Sequence, residues 1–242
     1  MTDPHSLSDD PSAAGAAAAD DEPLDPAAAL ELLTRQQFDV DRRLAAGLPL
    51  ILFAWGIAWS VGFGMLWLID GLAPGFRMPL PLAVGTFIVL MIGALAVSGI
   101  VGARMGRGLR TGPDAAWSGT VFGLTWPIGY VGVWALGSTL VYNGMPPDLL
   151  NIYYPTVSVM FVGLMYIVAG ALWRNWQSIA LGLWVGLVAC IAPWFGYPTH
   201  YLVFAIGGGG VFLVAGCFTA YWVSERRGRD ATLGVWGWGR GR

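Results

Sequence analysis

Long apolar runs almost free of charge alternate along this chain with short polar connections. Six runs stand out, at about 48–69, 80–103, 115–142, 154–173, 178–196 and 201–222. About 20 apolar residues in a helix cover the hydrocarbon core of a bilayer. The pattern therefore predicts an all-α, polytopic membrane protein with a six-helix transmembrane bundle over residues 47–223. The third run is longer than a straight crossing needs, so a tilt or a kink is expected, with Pro127 as the kink point.

Two flanking regions break the pattern. Residues 1–24 are rich in Ala, Asp, Pro and Ser and have no apolar face, which predicts a disordered acidic tail. The segment is acidic where a signal peptide is basic, so it does not read as one. Asp25-Pro26 then has the form of a helix N-cap followed by proline at the first helical position. Leu30, Leu33, Gln37, Val40 and Leu44 follow at helical spacing and define a cytoplasmic amphipathic helix over residues 25–46. One reading packs it on the membrane surface or the bundle; the other makes it a short dimerisation helix. At the far end, residues 224–242 form an Arg/Gly/Trp tail, which either brushes the lipid headgroups or docks a partner.

The arginines give an orientation. Arg35, Arg42 and Arg43 precede the first run, Arg104, Arg107 and Arg110 lie between the second and third, Arg174 lies between the fourth and fifth, and Arg226, Arg227 and Arg229 follow the sixth. The opposite side has Arg77 alone. Basic residues collect on the cytoplasmic side, so both termini are expected in the cytoplasm and the protein in the plasma membrane. An even number of spans requires the same parity. Trp67, Trp134, Trp194, Tyr197 and Tyr201 mark one interface and Trp117, Trp173, Trp176 and Trp222 the other, as aromatic belts do.

Composition adds limits. Apolar residues make up 56% of the chain and charged residues 12%, against about one quarter charged in soluble domains. The net charge of −2 conceals −7 over residues 1–46 and +5 over the remainder. No basic patch is large enough for phosphate affinity, which argues against nucleic-acid binding. Cys190 and Cys217 fall at depths differing by roughly 10 Å, too far for a disulfide, and are expected as buried small hydrophobes.

Candidate chemistry is sparse. The first span carries Gly56, Ser60 and Gly64 on one row and Ala54 and Ala58 on another. The fifth carries Gly182 and Gly186, and the third Gly119 and Gly123. Small residues every fourth position let helices approach closely in lipid. Intramolecular packing is one reading; docking of a separate membrane subunit, above all through Ala54 and Ala58, is the other. The latter row is similar to the Ala-xxx-Ala of six-span substrate-binding components of energy-coupling-factor transporters. Gly207, Gly208, Gly209 and Gly210 lie near mid-depth in the sixth span. They either pack against a bulky neighbour such as Trp126 or Trp184, or mark a broken helix; together with Pro127 and Trp126 they are the candidate hinge or substrate path.

No Asp, Glu, Lys, Arg or His lies deep in any run, which argues against a self-sufficient proton-coupled carrier. An enzyme is not expected. Ala116-Trp117-Ser118-Gly119 resembles the Gly-x-Ser-Gly of rhomboid proteases but lacks the first glycine, and His200 belongs to the opposite membrane surface from Ser118, out of reach of a nucleophile. Asp70, Asp148 and His200 have no metal-ligand spacing, so neither a metal nor another cofactor is expected. Tyr142, Asn143, Asn151, Tyr153, Tyr154, Tyr197, His200 and Tyr201 gather at one set of span ends, either as interfacial anchors or as a shallow mouth for a small ligand.

The stretch from Asp25 to Gln37, Arg42-Arg43, Phe53-Ala-Trp-Gly-Ile-Ala-Trp and Val61-Gly-Phe-Gly resemble the start of an actinobacterial family of six-span membrane proteins, often loosely labelled transporters. That resemblance implies the fold and a transporter-like or permease-component role, with the bilayer, a second copy or a partner membrane or ATPase subunit as partners. It assigns no substrate and no site residue. The alternative role is a non-transporting interaction or regulatory subunit.

Overall fold

Every apolar run becomes a helix, because a backbone in lipid must satisfy its polar groups within itself. The computed structural model describes residues 25–106 and 112–237, with side chains at 25–27, 30–32, 34, 47–106 and 112–225. Among the described residues, six helices are long and apolar enough to cross a membrane: Gly47–Trp67, Leu80–Gly106, Pro113–Tyr142, Pro147–Leu172, Trp176–Phe195 and Thr199–Glu225, here spans one to six. The chain is an all-α, multi-pass membrane protein, and no strand occurs among the described residues. Residues 1–24, with the predicted tail, lie outside the described residues, as do Arg107 and Arg110.

The chain divides at residues 42 and 43 into two units. In the first, Asp25 caps the helix as its sequence implies, its Oδ1 accepting from the Ala27 N–H at 3.4 Å. Leu30 is exposed; the remainder of the predicted apolar stripe lies outside the described side chains. The helix that contains span one is assigned from Pro26 to Trp67. At the other terminus the helix of span six continues to Gly237, into the segment predicted as a tail.

Within residues 43–242, the spans are neighbours in space in the order two, one, six, five, four, three, each antiparallel to the next. Spans one and six show the register best. Phe53 faces Gly216, Gly56 faces Leu213, Ser60 faces Gly209 and Phe63 faces Phe204. Span four also touches span six, through Tyr166 and Phe212 with ring centroids 5.7 Å apart. Spans one, four, five and six thus enclose the core of Trp59, Phe63, Val159, Val185, Phe204 and Phe212. Spans two and three flank it. Only 11% and 6% of their most apolar stretches are buried, against 28–33% in the other four.

One boundary differs from the sequence pattern for a physical reason. Span four begins at Pro147 with a 3-10 turn and is α-helical from Leu150, passing through Pro155. The apolar run placed its start at about Tyr154. Here the orphaned carbonyl before that proline finds another donor, described below. Span three runs unbroken through Pro127, which faces outward. Cys190 and Cys217 are exposed on the surface of the bundle, contrary to the expectation of burial. Lipid tolerates a thiol as a small hydrophobe as readily as the core does, so apolarity alone does not assign it to either.

Candidate functional site

Spans four and five form the closest helix pair. A methyl at Gly163 would lie 2.8 Å from the Gly186 nitrogen and 2.9 Å from the Gly182 oxygen. Backbone therefore meets backbone, which only glycine allows. The turn joining them is short. The Asn175 N–H donates to Gly170 O at 2.9 Å and the Trp173 N–H to Ala169 O at 3.0 Å, and Arg174 takes the left-handed conformation at φ 51°. Asn175 then caps span five, its Oδ1 accepting from the Ser178 N–H at 3.1 Å. Gly182 and Gly186, predicted as packing positions, are used within the chain.

In span one, Gly56 and Ser60 pack on span six, and Gly64 has open space beside it. Ala58 is buried within the bundle while Ala54 is half-buried, so the predicted docking row is at least half occupied by the chain itself. Gly119 and Gly123 of span three face open space rather than a helix of this chain.

Span six departs from regular α-helix where its glycines lie. Thr199–Val203 is α-helical, Phe204–Gly209 is π-helical, and α-helix resumes at Gly210. Three glycines of the run meet three different neighbours: Gly207 faces Val188, Gly208 faces the Trp59 ring and Gly209 faces Ser60, while Gly210 faces open space. Two carbonyls of the segment take side-chain donors from neighbouring spans. The Ser60 hydroxyl donates to Ala205 O at 3.1 Å and the Trp184 indole N–H to Gly207 O at 2.9 Å. Depth agrees from both sides: Trp184 is eight residues from the start of span five and Gly207 eight from the start of span six, about 12 Å in each case. The contact therefore sits near mid-depth.

The other predicted members of this site lie elsewhere. Trp126 belongs to an aromatic cluster of spans three and four, with ring contacts to Phe122, Tyr130 and Phe161. Pro127 faces away from the bundle. Of the two tryptophans named from sequence as neighbours of the glycines, Trp184 is the one that contacts them; Trp59 was missed. Its spacing signal was present, since Trp59 precedes Ser60 on the face of span one that meets span six.

A second polar cluster occupies the distal end, where spans one and two, three and four, and five and six are joined. The Tyr197 hydroxyl donates to Asp70 Oδ2 at 2.7 Å, and Arg77 Nε lies 3.5 Å from Asp70 Oδ1. Loss of solvent around the Tyr197 hydroxyl, then its bond to Asp70, push its pKa well above the ordinary phenol range; the Arg77 charge opposes weakly. His200 is fully buried, against Tyr201 with ring centroids 4.0 Å apart. Tyr142 and Asn143, expected to share this end, are exposed. Among the described residues, no three metal-ligating side chains converge.

Comparisons with protein-family models, with curated proteins and with solved structures each returned no match for this chain.

Proposed function

We propose that this chain is a small transporter-like or permease-component protein of the plasma membrane, with its proximal end, where spans two and three and spans four and five are joined, in the cytoplasm. The arginine distribution supports the orientation. The observation that carries the role is the π-helical segment of span six at mid-depth, with carbonyls held by side chains of spans one and five. Interrupted helices whose carbonyls face the interior are how transporters build midplane sites. Release of the exposed Trp184 indole from Gly207 would uncover that carbonyl at the outer seam of spans five and six. The spans carry no deep Asp, Glu, Lys, Arg or His among the described residues, so the path suits a neutral or donor-bearing solute, with energy drawn from a partner subunit.

The test is purification of the full chain from native membranes in mild detergent, identification of co-purifying proteins and small molecules, and flux of those small molecules in proteoliposomes. The expected result is flux that changes in Trp184→Phe. Absence of flux, both alone and with every co-purifying partner, would overturn the reading.

The rival reading is a membrane interaction or regulatory subunit. The largely unburied spans two and three favour it, with open space beside Gly93, Gly99, Gly119 and Gly123. Deleting residues 1–46 separates the two readings: loss of partner capture with an intact bundle favours the rival, and unchanged partners and phenotype count against it.

A further inference from the structure

His200 is the second residue of span six, and none of its side chain is exposed. Its Nε2 lies 2.9 Å from the carbonyl oxygen of Asn151 in span four, and its Nδ1 lies 3.1 Å from that of Gly196. The two oxygens differ in what else they hold. Gly196 O already accepts the backbone N–H of His200 at 2.9 Å. Asn151 stands four residues before Pro155, and proline has no N–H to return to it. Without the imidazole the Asn151 carbonyl would lack a helical donor.

A neutral imidazole has one N–H to give. On Nε2 that proton satisfies the orphaned carbonyl and leaves Nδ1 beside an oxygen that is already served. A second proton has little to stabilise it. On its own helix the ring meets Tyr201, and Phe204 at 6.0 Å; the segment joining spans five and six presents Tyr197 at 6.2 Å and the Gly196 carbonyl. Span four presents the Asn151 carbonyl. Asp70 of the segment joining spans one and two reaches this cluster through the Tyr197 hydroxyl and is already paired with Arg77. A buried charge without an acidic partner costs several kcal/mol. One bond to a shared carbonyl and an aromatic face offset only part of that.

We infer that His200 is an acid-released latch between the distal ends of spans four and six. Neutral, it holds Asn151. When Nδ1 takes a proton from water, the charged ring leaves its pocket for solvent and the Asn151 bond is lost. The latch holds above the ordinary histidine range, about 6.5, and opens as pH falls below it. This does not depend on whether the bundle transports.

The test is hydrogen–deuterium exchange of the full chain in nanodiscs at pH 7.5 and 5.5, corrected for the intrinsic effect of pH. Residues 148–156 and 196–204 are expected to lose protection about tenfold at pH 5.5, the effect of one pH unit of linkage. His200→Gln keeps an amide donor toward Asn151 but cannot charge, so its exchange is expected to ignore this pH change. An equal acid response in both proteins, or acid protection in the wild type, would overturn the inference. Pro155→Ala returns a helical N–H to Asn151 and is expected to weaken the response; an undiminished response counts against the latch. A third measurement leaves His200 in place. The 15N spectrum of histidine-labelled His5→Ala protein should show a neutral Nε2–H tautomer at pH 7.5, and an imidazolium or an Nδ1–H tautomer there would refute the assignment.

Discussion

The indole N–H of Trp184 reaches across to the carbonyl of Gly207 at 2.9 Å, binding spans five and six at mid-depth. An interhelical hydrogen bond in lipid contributes roughly 0.5–2 kcal/mol, because its groups have no water to turn to but find other partners when the helices separate. Trp184→Phe keeps most of the ring and removes the donor. It is expected to destabilise the bundle by about that amount, read as a lower midpoint in denaturant or thermal unfolding in detergent.

The glycines divide by what they face. Gly163→Ala and Gly182→Ala each drive a methyl into backbone, which cannot move aside as a side chain can. Each is expected to cost about 2 kcal/mol or more. Gly119→Ala and Gly123→Ala meet nothing within 4 Å and are expected to leave stability unchanged or to raise it by up to about 1 kcal/mol through helix propensity. Parallel unfolding measurements on the four variants test the contrast.

Arg174 occupies a left-handed position that usually falls to glycine at a helix end. Arg174→Gly is expected to stabilise the turn by about 1 kcal/mol. A fall in the unfolding midpoint would instead mean that the guanidinium contributes more than its backbone strain costs.

Tyr197→Phe removes the bond to Asp70. With Tyr197 42% exposed, the loss is expected to stay below about 1 kcal/mol. The sign of its pH dependence follows from a hydroxyl that is harder to ionise in the fold than in the unfolded chain. From pH 6 to 9, below the ordinary phenol value of about 10, the hydroxyl keeps its proton in both states. Its contribution falls only above that value, as the unfolded chain ionises first. The difference between wild type and variant should therefore be constant from pH 6 to 9 and shrink above 10.

The spans were legible because their length and apolarity are forced by the bilayer. The Asp25 cap was legible because its chemistry is local. The faces of each span were not, because lipid is as apolar as the core and the hydrophobic pattern no longer separates inside from outside. Gly119 and Gly182 look alike in sequence, yet one faces open space and the other a neighbouring backbone. Cys190 looks like a core residue and faces out. The same ambiguity hid the site: the glycine run announced a departure from regular helix, but its partners Trp59, Ser60 and Trp184 come from other spans. The position of His200 at the distal end of span six was legible, but its full burial was not. Only the pairing of span four with span six shows that the carbonyl orphaned by Pro155 is waiting for its imidazole.

The π-helical stretch also sets an angle. Each α-helical residue advances the chain about 100° around its axis, and a turn closed at i+5 holds one residue more than a turn closed at i+4. Phe204–Gly209 thus carries one residue of surplus, and it rotates the distal end of span six by about 100° relative to an unbroken α-helix. In the observed phase His200, Tyr201 and Phe204 are buried while Ile206 faces out. Drawn back to α-helix, the same segment would swing His200 off Asn151. Removing one of the three glycines 207–209 is therefore expected to give a straight helix with both ends still in phase and a bundle that survives as a monodisperse protein. Removing Val214 from the regular helix below, by contrast, should put one end out of phase with its neighbours and abolish folding. The mid-depth contact at Trp184 and the distal latch are about 10 Å of helix apart, and a single surplus residue holds both in alignment.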